Sequence, residues 1–389
     1  MKIALYHPWI HLKGGGERVI LEIAKRSRHD VTIFTHSFNQ KNTYKEFKNV
    51  KVRVIRNIPI IGEVFRGLLF TLILSLTKLP LKKYDAFVVS TGGIAEFITI
   101  RNHSIPLAAY VHTPLRPAHD KSIYEYKLKE KRGLSKLFYK FSIRFYRKIE
   151  KEAWKRFNLV FCNSLNTASR LLKAKLVDRK KIRILHPGAD IEKFKPSKTF
   201  DHYFFYPSRI TYYKAQDFVI DAFSHFKEKY GTDFKLVIAG GVSNKDKVYY
   251  KYLLSKVKKS KYKNDIIIKT NVSEQEFLKL YRNCYAVLFA AFNEDWGIIP
   301  IEAMAAGKPI ISVNEGGPRE SVIDGKTGFL VERDIKKFAE TMHKLASNKK
   351  LVMEMGKNGI KEAKKYTWKE FIKRFDNQIE KLVGEYGKT

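Results

Sequence analysis

The sequence predicts an α/β protein built on two doubly wound parallel sheets. Short apolar segments alternate with longer helical stretches along the whole chain of 389 residues. This alternation is typical of consecutive βαβ units, whose strands run parallel. The pattern falls into two series separated by the turn cluster His186-Pro187-Gly188. The chain is long enough for two domains of ordinary size, each with its own core.

Each series contains five predicted strands. Those of the first series lie at residues 2–6, 31–35, 86–90, 107–111 and 159–163. Those of the second series lie at residues 203–206, 235–239, 266–269, 286–291 and 309–313. Near the C terminus, Tyr366-Thr367-Trp368 precedes a predicted helix that runs to about Val383. We therefore predict an N-terminal domain over 1–188, a second domain over 189–365 and a terminal helix over 366–389.

The composition is that of a soluble globular protein, with 44% hydrophobic and 29% charged residues. Cys162 and Cys284 lie far apart in apolar runs, so we expect two buried thiols rather than a disulfide, as in a reducing cytoplasm. The N terminus is typical of a first strand and not of a signal peptide, because a charge and a proline interrupt it early. The longest apolar stretch, residues 67–77, is too short for a bilayer span of roughly 20 residues. It predicts a buried or interface-lying helix.

The net charge of +36 is concentrated in part between residues 121 and 156, which hold 13 Lys and Arg against 4 Glu. Apolar residues recur there at helical spacing: Leu134, Phe138, Phe141, Phe145 and Ile149. A basic stripe is offset from them by about half a turn: Lys136, Lys140, Arg144, Lys148 and Lys151. Such a helix suits an anionic membrane surface. The alternative is a core-facing helix with a solvated basic face. We expect no nucleic-acid partner, because RNP-like runs, zinc spacing and helix-turn-helix patterns are missing from the sequence.

The most informative segment is residues 284–328, which predicts a strand, a loop, a short helix and a second strand. Pro300 suits the first turn of the helix, and Gly307 is a natural stop. Glu294 and Glu302 then lie near the carboxyl end of the first strand. In an open parallel sheet, this edge is where nucleotides and phosphates bind.

Two carboxylates beside an anion site suggest a ligand that also carries hydroxyl groups. A ribose and a hexose at opposite ends of a diphosphate would occupy both Glu294 and Glu302. The helix dipole and four backbone amides would hold the phosphates: those of Trp296, Gly297, Ile298 and Ile299. The alternative is that Glu294 is a solvated loop residue and Glu302 only complements the helix dipole.

Gly14, Gly15 and Gly16 follow the first predicted strand and precede a helix. Glycines at this position allow a backbone to approach a phosphate or sugar closely and permit positive φ. The pattern is not GxGxxG, and no acidic residue ends the second predicted strand. A dinucleotide site is therefore disfavoured.

The spacing of Glu294 and Glu302, followed by EAMAAGKPII and EGGPRE, resembles the donor site of retaining glycosyltransferase family 4. Four further segments extend the resemblance: residues 12–19, 110–116, 182–196 and 206–223. It implies the GT-B fold, with two Rossmann-like domains facing a cleft and the C-terminal helix crossing back to the N-terminal domain. The motifs HTPLR, SRITYYK and FNEDWGIIPIEA look most like bacterial and archaeal lipid-linked mannosyltransferases.

The resemblance implies a role for each matching residue. Arg209 and Lys214 would neutralise the diphosphate, and His112 would face the donor sugar or its phosphate. Gly316 and Gly317 would cap the donor with backbone. Ser208 and Ala215 depart from the family, which usually has glycine at both positions. A structural role for His112 is the alternative.

The leading hypothesis is a transferase that moves a hexose, mannose from GDP-mannose by resemblance, to a lipid-linked saccharide. We expect no metal, since Arg and Lys supply the positive charge and the spacing of His112, His119 and Asp120 matches no usual ligand set. We expect a cytoplasmic protein, peripheral at the inner face of the cell membrane. A two-carboxylate glycoside hydrolase and a non-catalytic lipid- or nucleic-acid-binding protein are the alternatives.

Overall fold

The computed structural model describes residues 1–55 and 63–386. The chain divides into two compact units. Unit 1 comprises Met1–Gly188 and Trp368–Thr389, and unit 2 comprises Ala189–Thr367. Each unit has its own parallel sheet.

Within the described residues, unit 1 contains a seven-stranded sheet in the order β3-β2-β1-β4-β5-β6-β7. Every neighbouring pair is parallel. The strands are β1 (Lys2–Tyr6), β2 (Asp30–Thr35), β3 (Lys51–Val54), β4 (Ala86–Thr91), β5 (Leu107–Val111), β6 (Leu159–Cys162) and β7 (Ile182–Ile184). The helices are α1 (Gly15–Arg26), α2 (Glu63–Leu76), α3 (Arg116–His119), α4 (Lys121–Lys129), α5 (Gly133–Trp154) and α6 (Leu165–Lys173).

Unit 2 repeats this plan with a six-stranded parallel sheet in its described residues, in the order β10-β9-β8-β11-β12-β13. The strands are β8 (Tyr203–Pro207), β9 (Lys235–Ala239), β10 (Ile266–Lys269), β11 (Ala286–Phe289), β12 (Ile310–Val313) and β13 (Gly328–Val331). The helices are α7 (Gln216–Tyr230), α8 (Lys247–Lys259), α9 (Glu274–Asn283), α10 (Ile299–Ala305), α11 (Pro318–Ser321), α12 (Ile335–Ala346) and α13 (Lys349–Ala363).

The last helix, α14 (Trp368–Tyr386), belongs to unit 1. Its apolar side packs with α1 on one face of the sheet, where Phe371, Phe375 and Ile379 join the core. Polar contacts fix its register, since Ser27 Oγ donates to Asp376 at 2.6 Å and Arg28 pairs with the Glu380 carboxylate at 2.6 Å. The predicted return of the terminal helix to the N-terminal part of the chain is confirmed.

All ten strands predicted from the sequence occur, and the fold class is confirmed. Three strands were missed: β3, β7 and β13. Each lies at an edge of its sheet, and none is a continuous buried apolar run. Edge strands have a solvated side, so they lack the apolar signal of central parallel strands.

The apolar stretch at 67–77 lies mostly in α2, which is a two-faced helix. Phe70 and Leu74 are buried in the core, while Leu72 and Leu76 are exposed. Across the described residues, we find no helix with the length and apolar content that crossing a membrane requires. Cys162 and Cys284 are buried free thiols, as expected.

Helix α5 does not bury the stripe predicted to face either a core or a membrane. Its buried side is formed by other residues, among them Tyr139, Ile143 and Tyr146. Four of the five stripe residues, Leu134, Phe138, Phe141 and Phe145, are exposed. The core-facing alternative for this stripe is therefore wrong, except at Ile149, which packs partly against the core.

Candidate active site

In unit 2, polar side chains collect where four neighbouring strands end. Lys214 follows β8, Glu294 follows β11, Gly316 and Gly317 follow β12, and Arg333 follows β13. These strands are adjacent and parallel, so their carboxyl ends lie at one edge. The unit 2 segments that were predicted to belong to a donor site, those of Lys214, Glu294 and the Gly316-Gly317 pair, therefore meet at a single edge.

Lys214 and Glu294 form an ion pair, with Lys214 Nζ 2.5 Å from Glu294 Oε2. Both side chains are largely shielded, being 16% and 25% exposed. The Tyr206 hydroxyl joins the two loops, because it donates to the Lys214 carbonyl and accepts from the Ala290 amide. Partial burial strengthens a charge-assisted contact of this kind. Arg209, the second predicted cation, is exposed on the same loop.

Arg333 stabilises the segment that leads into the Glu294 turn. Its guanidinium donates to the carbonyls of Ala290 and Ala291 and lies 4.1 Å from the centre of the Phe292 ring. It also makes two bonds to the Glu315 carboxylate, at 2.8 and 2.9 Å. Burial alone would raise the pKa of Glu315, but the bonds from Arg333 outweigh it and hold that pKa below its ordinary value.

Glu302 occupies a different environment from Glu294. It lies in the first turn of α10, and Tyr281 on α9 donates a hydrogen bond to its Oε2 at 2.6 Å. Burial raises the pKa of Glu302, and the Tyr281 bond opposes that rise. Of the two carboxylates, one is thus paired with a cation and the other with a neutral phenol.

Gly316 and Gly317 are required by packing against the Glu294 turn. A Cβ on Gly316 would lie 2.3 Å from the Glu294 carbonyl oxygen, and one on Gly317 would lie 2.2 Å from that of Trp296. Gly316 also has φ +63°, a conformation that favours glycine. The Gly317 amide donates to the Glu294 carbonyl at 2.9 Å, so this N–H is already used inside the protein.

Helix α10 begins as expected, with Pro300 in its first turn, and its last residue, Ala305, lies two positions before Gly307, which has φ +68°. It has only seven residues. A helix terminus contributes about 0.3–1 kcal/mol to an exposed charge, less than a nearby full charge does. The predicted amides around Gly297 and Ile298 therefore rank behind Lys214 as a source of positive potential. Trp296 anchors this segment, since its ring is buried against Tyr366.

Unit 1 also gathers polar groups at the carboxyl edge of its sheet. His7 follows β1, Ser90 lies in β4 and His112 follows β5, and these three strands are neighbours. Ser90 Oγ lies 3.0 Å from His7 Nδ1 and 2.8 Å from His112 Nε2. A Cβ on Gly16 would lie 3.5 Å from both rings. The glycine loop and His112, predicted separately, are thus brought together.

Both His7 and His112 are held neutral by their surroundings. Burial, and then the neighbouring His112, lower the pKa of His7 to about 3. Burial lowers the pKa of His112 to about 4. The glycines differ from expectation in one respect, because Gly14, Gly15 and Gly16 all have negative φ. Their value here is the space they leave, not an unusual backbone conformation.

The alternative metal ligands near His112 are engaged elsewhere. His119 lies 2.8 Å from Glu150, and Asp120 pairs with Arg116 at 2.9 Å. Asp120 also caps α4 through the Ile123 amide. Within residues 1–55 and 63–386, we find no group of three or more His, Cys, Asp or Glu side chains placed to hold a metal ion.

Five residues of these two edges were not predicted from the sequence: His7, Ser90, Tyr281, Glu315 and Arg333. His7 and Ser90 carried a usable signal, because each lies at the end of a predicted strand. Arg333 follows β13, a strand that was itself missed. Tyr281 lies on a helix and is joined to Glu302 only by the folded chain, so no local pattern identifies it.

Two family models match the chain, one after the other. Residues 13–193 match the family described as Glycosyltransferase Family 4, and residues 189–362 match the family described as Glycosyl transferases group 1. The chain is therefore a glycosyltransferase with a family 4 domain followed by a group 1 domain.

Curated relatives match over the full length. The chain is 27% identical to the alpha-1,3/1,6-mannosyltransferase ALG2 of Dictyostelium discoideum, over 98% of each protein. It is 25% identical to the protein of the same name from Schizosaccharomyces pombe, over 97% of this chain and 80% of the relative. Both organisms are eukaryotes, so the predicted closeness to bacterial and archaeal enzymes is not confirmed.

A solved structure supports the fold. The crystal structure of Anabaena Alr3699/HepE in complex with UDP superposes with a TM-score of 0.74, covering 98% of this chain and all of that chain, at 19% identity. The two Rossmann-like units are those of the GT-B fold.

Proposed function

We propose that this protein is a retaining mannosyltransferase that moves mannose from GDP-mannose to a lipid-linked saccharide. The full-length similarity to proteins named alpha-1,3/1,6-mannosyltransferase supports the sugar and the reaction type. The observation that carries the proposal is the Lys214–Glu294 ion pair at the carboxyl edge of the group 1 domain. Lys214 supplies a cation for a phosphate, and Glu294, beside it, supplies a carboxylate for a sugar hydroxyl.

In this proposal, Lys214 and Arg209 bind the diphosphate of the donor. A second anion near Lys214 would share its ammonium with Glu294, which leaves carboxylate lone pairs for hydroxyl groups of the hexose. The same two cations act more strongly as the phosphate gains charge during bond cleavage. Gly297 and the neighbouring amides of Trp296, Ile298 and Ile299 add weaker donors. Gly316 fixes the turn from which Glu294 projects.

Glu302 is proposed to bind the ribose. Its Oε2 already accepts from Tyr281 at 2.6 Å, so the carboxylate is oriented before a ligand arrives. A ribose hydroxyl would donate to the other oxygen, and burial would make that bond selective for a neutral donor over an anion.

For the transfer step, the bond between the anomeric carbon and the diphosphate oxygen breaks, and the leaving diphosphate keeps the electron pair. The acceptor hydroxyl forms the new bond on the same face, which retains the configuration. Its proton passes to the leaving phosphate oxygen, so atoms and charges balance. His112 and the loop of Gly14, Gly15 and Gly16 are proposed to contact sugar hydroxyls, for which neutral groups are well suited.

We propose that the reaction needs no metal ion, because Arg209 and Lys214 supply positive charge to the diphosphate. Chelation with EDTA should then leave the rate unchanged. We also propose that the protein works in the cytoplasm as a peripheral protein at the inner face of the cell membrane, where a lipid-linked acceptor is presented.

The decisive experiment has a binding stage and a transfer stage. GDP-, UDP- and ADP-sugars are screened for thermal stabilisation, which grows with the ratio of ligand concentration to Kd. The stabilising donor is then incubated with lipid-linked oligosaccharide, and the product is assigned by mass and by the anomeric coupling in NMR. We expect GDP-mannose to stabilise the protein and the product to be an α-mannoside.

Three outcomes would overturn the proposal. Glycan cleavage in the absence of any nucleotide sugar would indicate a hydrolase. Transfer with inversion would exclude the retaining mechanism. If Glu294→Ala and Glu302→Ala leave every measured activity intact while the basic residues of α5 matter, the protein is a binding module.

A further inference from the structure

Helix α5 presents an apolar ridge to solvent. The ridge consists of Leu134, Leu137, Phe138, Phe141 and Phe145, all exposed. The exposed fraction reaches 85% at Leu134 and 66% at Phe141. The rings of Phe141 and Phe145 stack on each other and not on the core. A contiguous exposed ridge of this size is unusual on a protein that has no partner for it.

The ridge is one of three strips along the helix. At about 100° per residue, the buried strip of Tyr139, Ile143 and Tyr146 lies on one side of it. The basic strip lies on the other side: Lys136, Lys140, Arg144, Lys148 and Lys151. Within the part of the chain that the structure describes, no carboxylate forms an ion pair with any of these five basic side chains. Their charge is therefore available to an outside partner.

A second helix of unit 1 also exposes apolar side chains. Leu72 and Leu76 of α2 are exposed, the latter at 60%. Helices α2 and α5 both pack against the 3-10 segment Ala95–Ile100 and share one core cluster. They therefore cover the same face of the sheet.

We infer that the α5 ridge inserts into the surface of an anionic lipid bilayer, with the basic strip binding lipid phosphates. Helices that lie in the interface of an anionic bilayer have an apolar face bordered by Lys and Arg, as α5 has. Long basic side chains keep their charge in the headgroup layer while the ridge enters the acyl boundary. A second copy of this chain fits poorly, because pairing two ridges would bring two basic strips together.

The ridge has a defined end. Two turns after Phe145, the same line along the helix reaches Glu152, which pairs with Lys155 at 2.7 Å. An ionised carboxylate is unfavourable both in an apolar layer and against lipid phosphates. Only the N-terminal part of α5 therefore enters the bilayer. This inference concerns attachment and does not depend on the proposed sugar transfer.

The test is flotation of the full-length protein with vesicles of phosphatidylcholine, with and without phosphatidylglycerol. The ridge variant is Phe141→Ser with Phe145→Ser, and the strip variant is Lys140→Gln with Arg144→Gln. Matched controls lie on exposed positions of α8 in unit 2. These are Val248→Ser with Leu254→Ser, and Lys251→Gln with Lys258→Gln.

We expect the wild type to float with anionic vesicles. The ridge variant should bind at least about tenfold more weakly at low and at high salt, because apolar insertion is not screened. The strip variant should lose about tenfold or more on anionic vesicles at low salt only, as two charges are removed. Both controls should bind like the wild type.

Two outcomes would overturn the inference. One is a ridge variant that floats as well as the wild type. The other is a wild type that does not bind anionic vesicles. If that protein also sediments as a dimer that the ridge variant dissociates, the ridge is assigned to a second copy. The unfolding temperature of each variant without ligand should match that of the wild type, which shows that the variants fold. Because neither flotation nor this control uses the sugar donor, failure here is separate from failure of the proposed function.

Discussion

The carboxyl edges of the two sheets are formed by strands in the same order, but one edge carries charged groups and the other carries neutral groups. The unit 2 edge is built from full charges, Lys214 with Glu294 and Arg333 with Glu315. The unit 1 edge is built from neutral groups, since Ser90 joins two histidines whose pKa values are about 3 and about 4. One architecture thus supports both a charged and an uncharged binding edge.

The difference follows from how each edge treats its polar groups. In unit 2, opposite charges within hydrogen-bond distance favour the ionised forms. In unit 1, burial is the largest influence on the pKa values of both histidines, and it favours the neutral forms. An ionised edge suits a diphosphate and its sugar, whereas a neutral edge suits hydroxyl groups alone. Three predictions test this contrast, and a fourth tests the backbone of the unit 2 loop that carries Lys214.

The largest effect is expected from Glu294→Gln, which breaks the charged pair of unit 2. Transfer should fall on the order of 100-fold to 1000-fold, as for loss of a positioned charge in an active site. The free energy of unfolding should fall by less than about 1 kcal/mol, because the pair is only partly buried. Steady-state kinetics and urea unfolding measure the two effects.

The matched control is Glu276→Gln, which breaks the exposed Lys269–Glu276 pair at 2.6 Å in the same unit. It should leave the rate unchanged. A Glu294→Gln enzyme with wild-type activity would remove the charged edge from the mechanism.

The neutral edge of unit 1 makes stability depend on pH. The pKa of His7 in the folded protein, about 3, is below the unfolded value of 6.5. Below about pH 6.5 the unfolded chain takes up a proton that folded His7 refuses, so stability is complete above that pH and is lost as the pH falls. The loss is about 1.4 kcal/mol per pH unit for each such histidine.

For His7 alone, the free energy of unfolding should drop by about 2 kcal/mol between pH 6.5 and pH 5. In His7→Asn, unfolding should take up one proton fewer, so the free energy of unfolding from urea melts should depend less steeply on pH. His225→Asn, at a half-exposed histidine of unit 2, should leave the slope of unit 1 unchanged. An unaltered slope in His7→Asn would show that His7 is not held neutral.

An intermediate effect is expected from Tyr281→Phe, which removes the neutral partner of Glu302. Donor affinity should fall about tenfold, the typical cost of one hydrogen bond to a buried charged group. The bond lowers the pKa of Glu302 against the effect of burial, so its loss raises that pKa further. As the pH is lowered, the donor affinity of the variant, measured by calorimetric titration, should therefore begin to fall at a higher pH than that of the wild type.

The control for this prediction is Tyr203→Phe, whose hydroxyl donates to the Leu280 carbonyl at 2.8 Å beside Tyr281. Its donor affinity should not change. If both variants bind the donor as tightly as the wild type does, Tyr281 only packs and does not orient Glu302.

The smallest effect is expected at Ala215, a buried residue with φ +49° where glycine was expected from family resemblance. Ala215→Gly relieves about 1–2 kcal/mol of left-handed strain. It also frees the unfolded chain by about 0.4–1 kcal/mol and removes a buried methyl worth about 0.8 kcal/mol. The free energy of unfolding should change by less than about 1 kcal/mol, as measured by urea melts. Ala215→Val, by contrast, should destabilise clearly; equal stability of the two variants would show that φ is not positive there.

The fold was predictable where burial leaves a simple pattern. Central strands such as β5 and β11 are continuous apolar runs, and Pro300 and Gly307 mark the ends of α10. The edge strands β3, β7 and β13 were missed because alternate contact with solvent breaks that pattern.

The candidate site was predictable only as a set of separate segments. Glu294, Lys214 and His112 could be proposed from their places after strands, but their partners are distant in sequence. Tyr281 pairs with Glu302, and Arg333 reaches back to Ala290. Such pairings arise from packing, for which a single sequence has no local signal.

Arg333 has a consequence for motion. It lies just beyond β13, the outermost strand of its sheet, yet it holds the carbonyls of Ala290 and Ala291. Edge strands unfold locally more readily than central strands, because only one side of an edge strand is hydrogen-bonded to a neighbouring strand. Fraying of β13 would therefore loosen the Glu294 turn without unfolding it. Hydrogen exchange at β13 should then report how well ordered the loop proposed to bind the donor is.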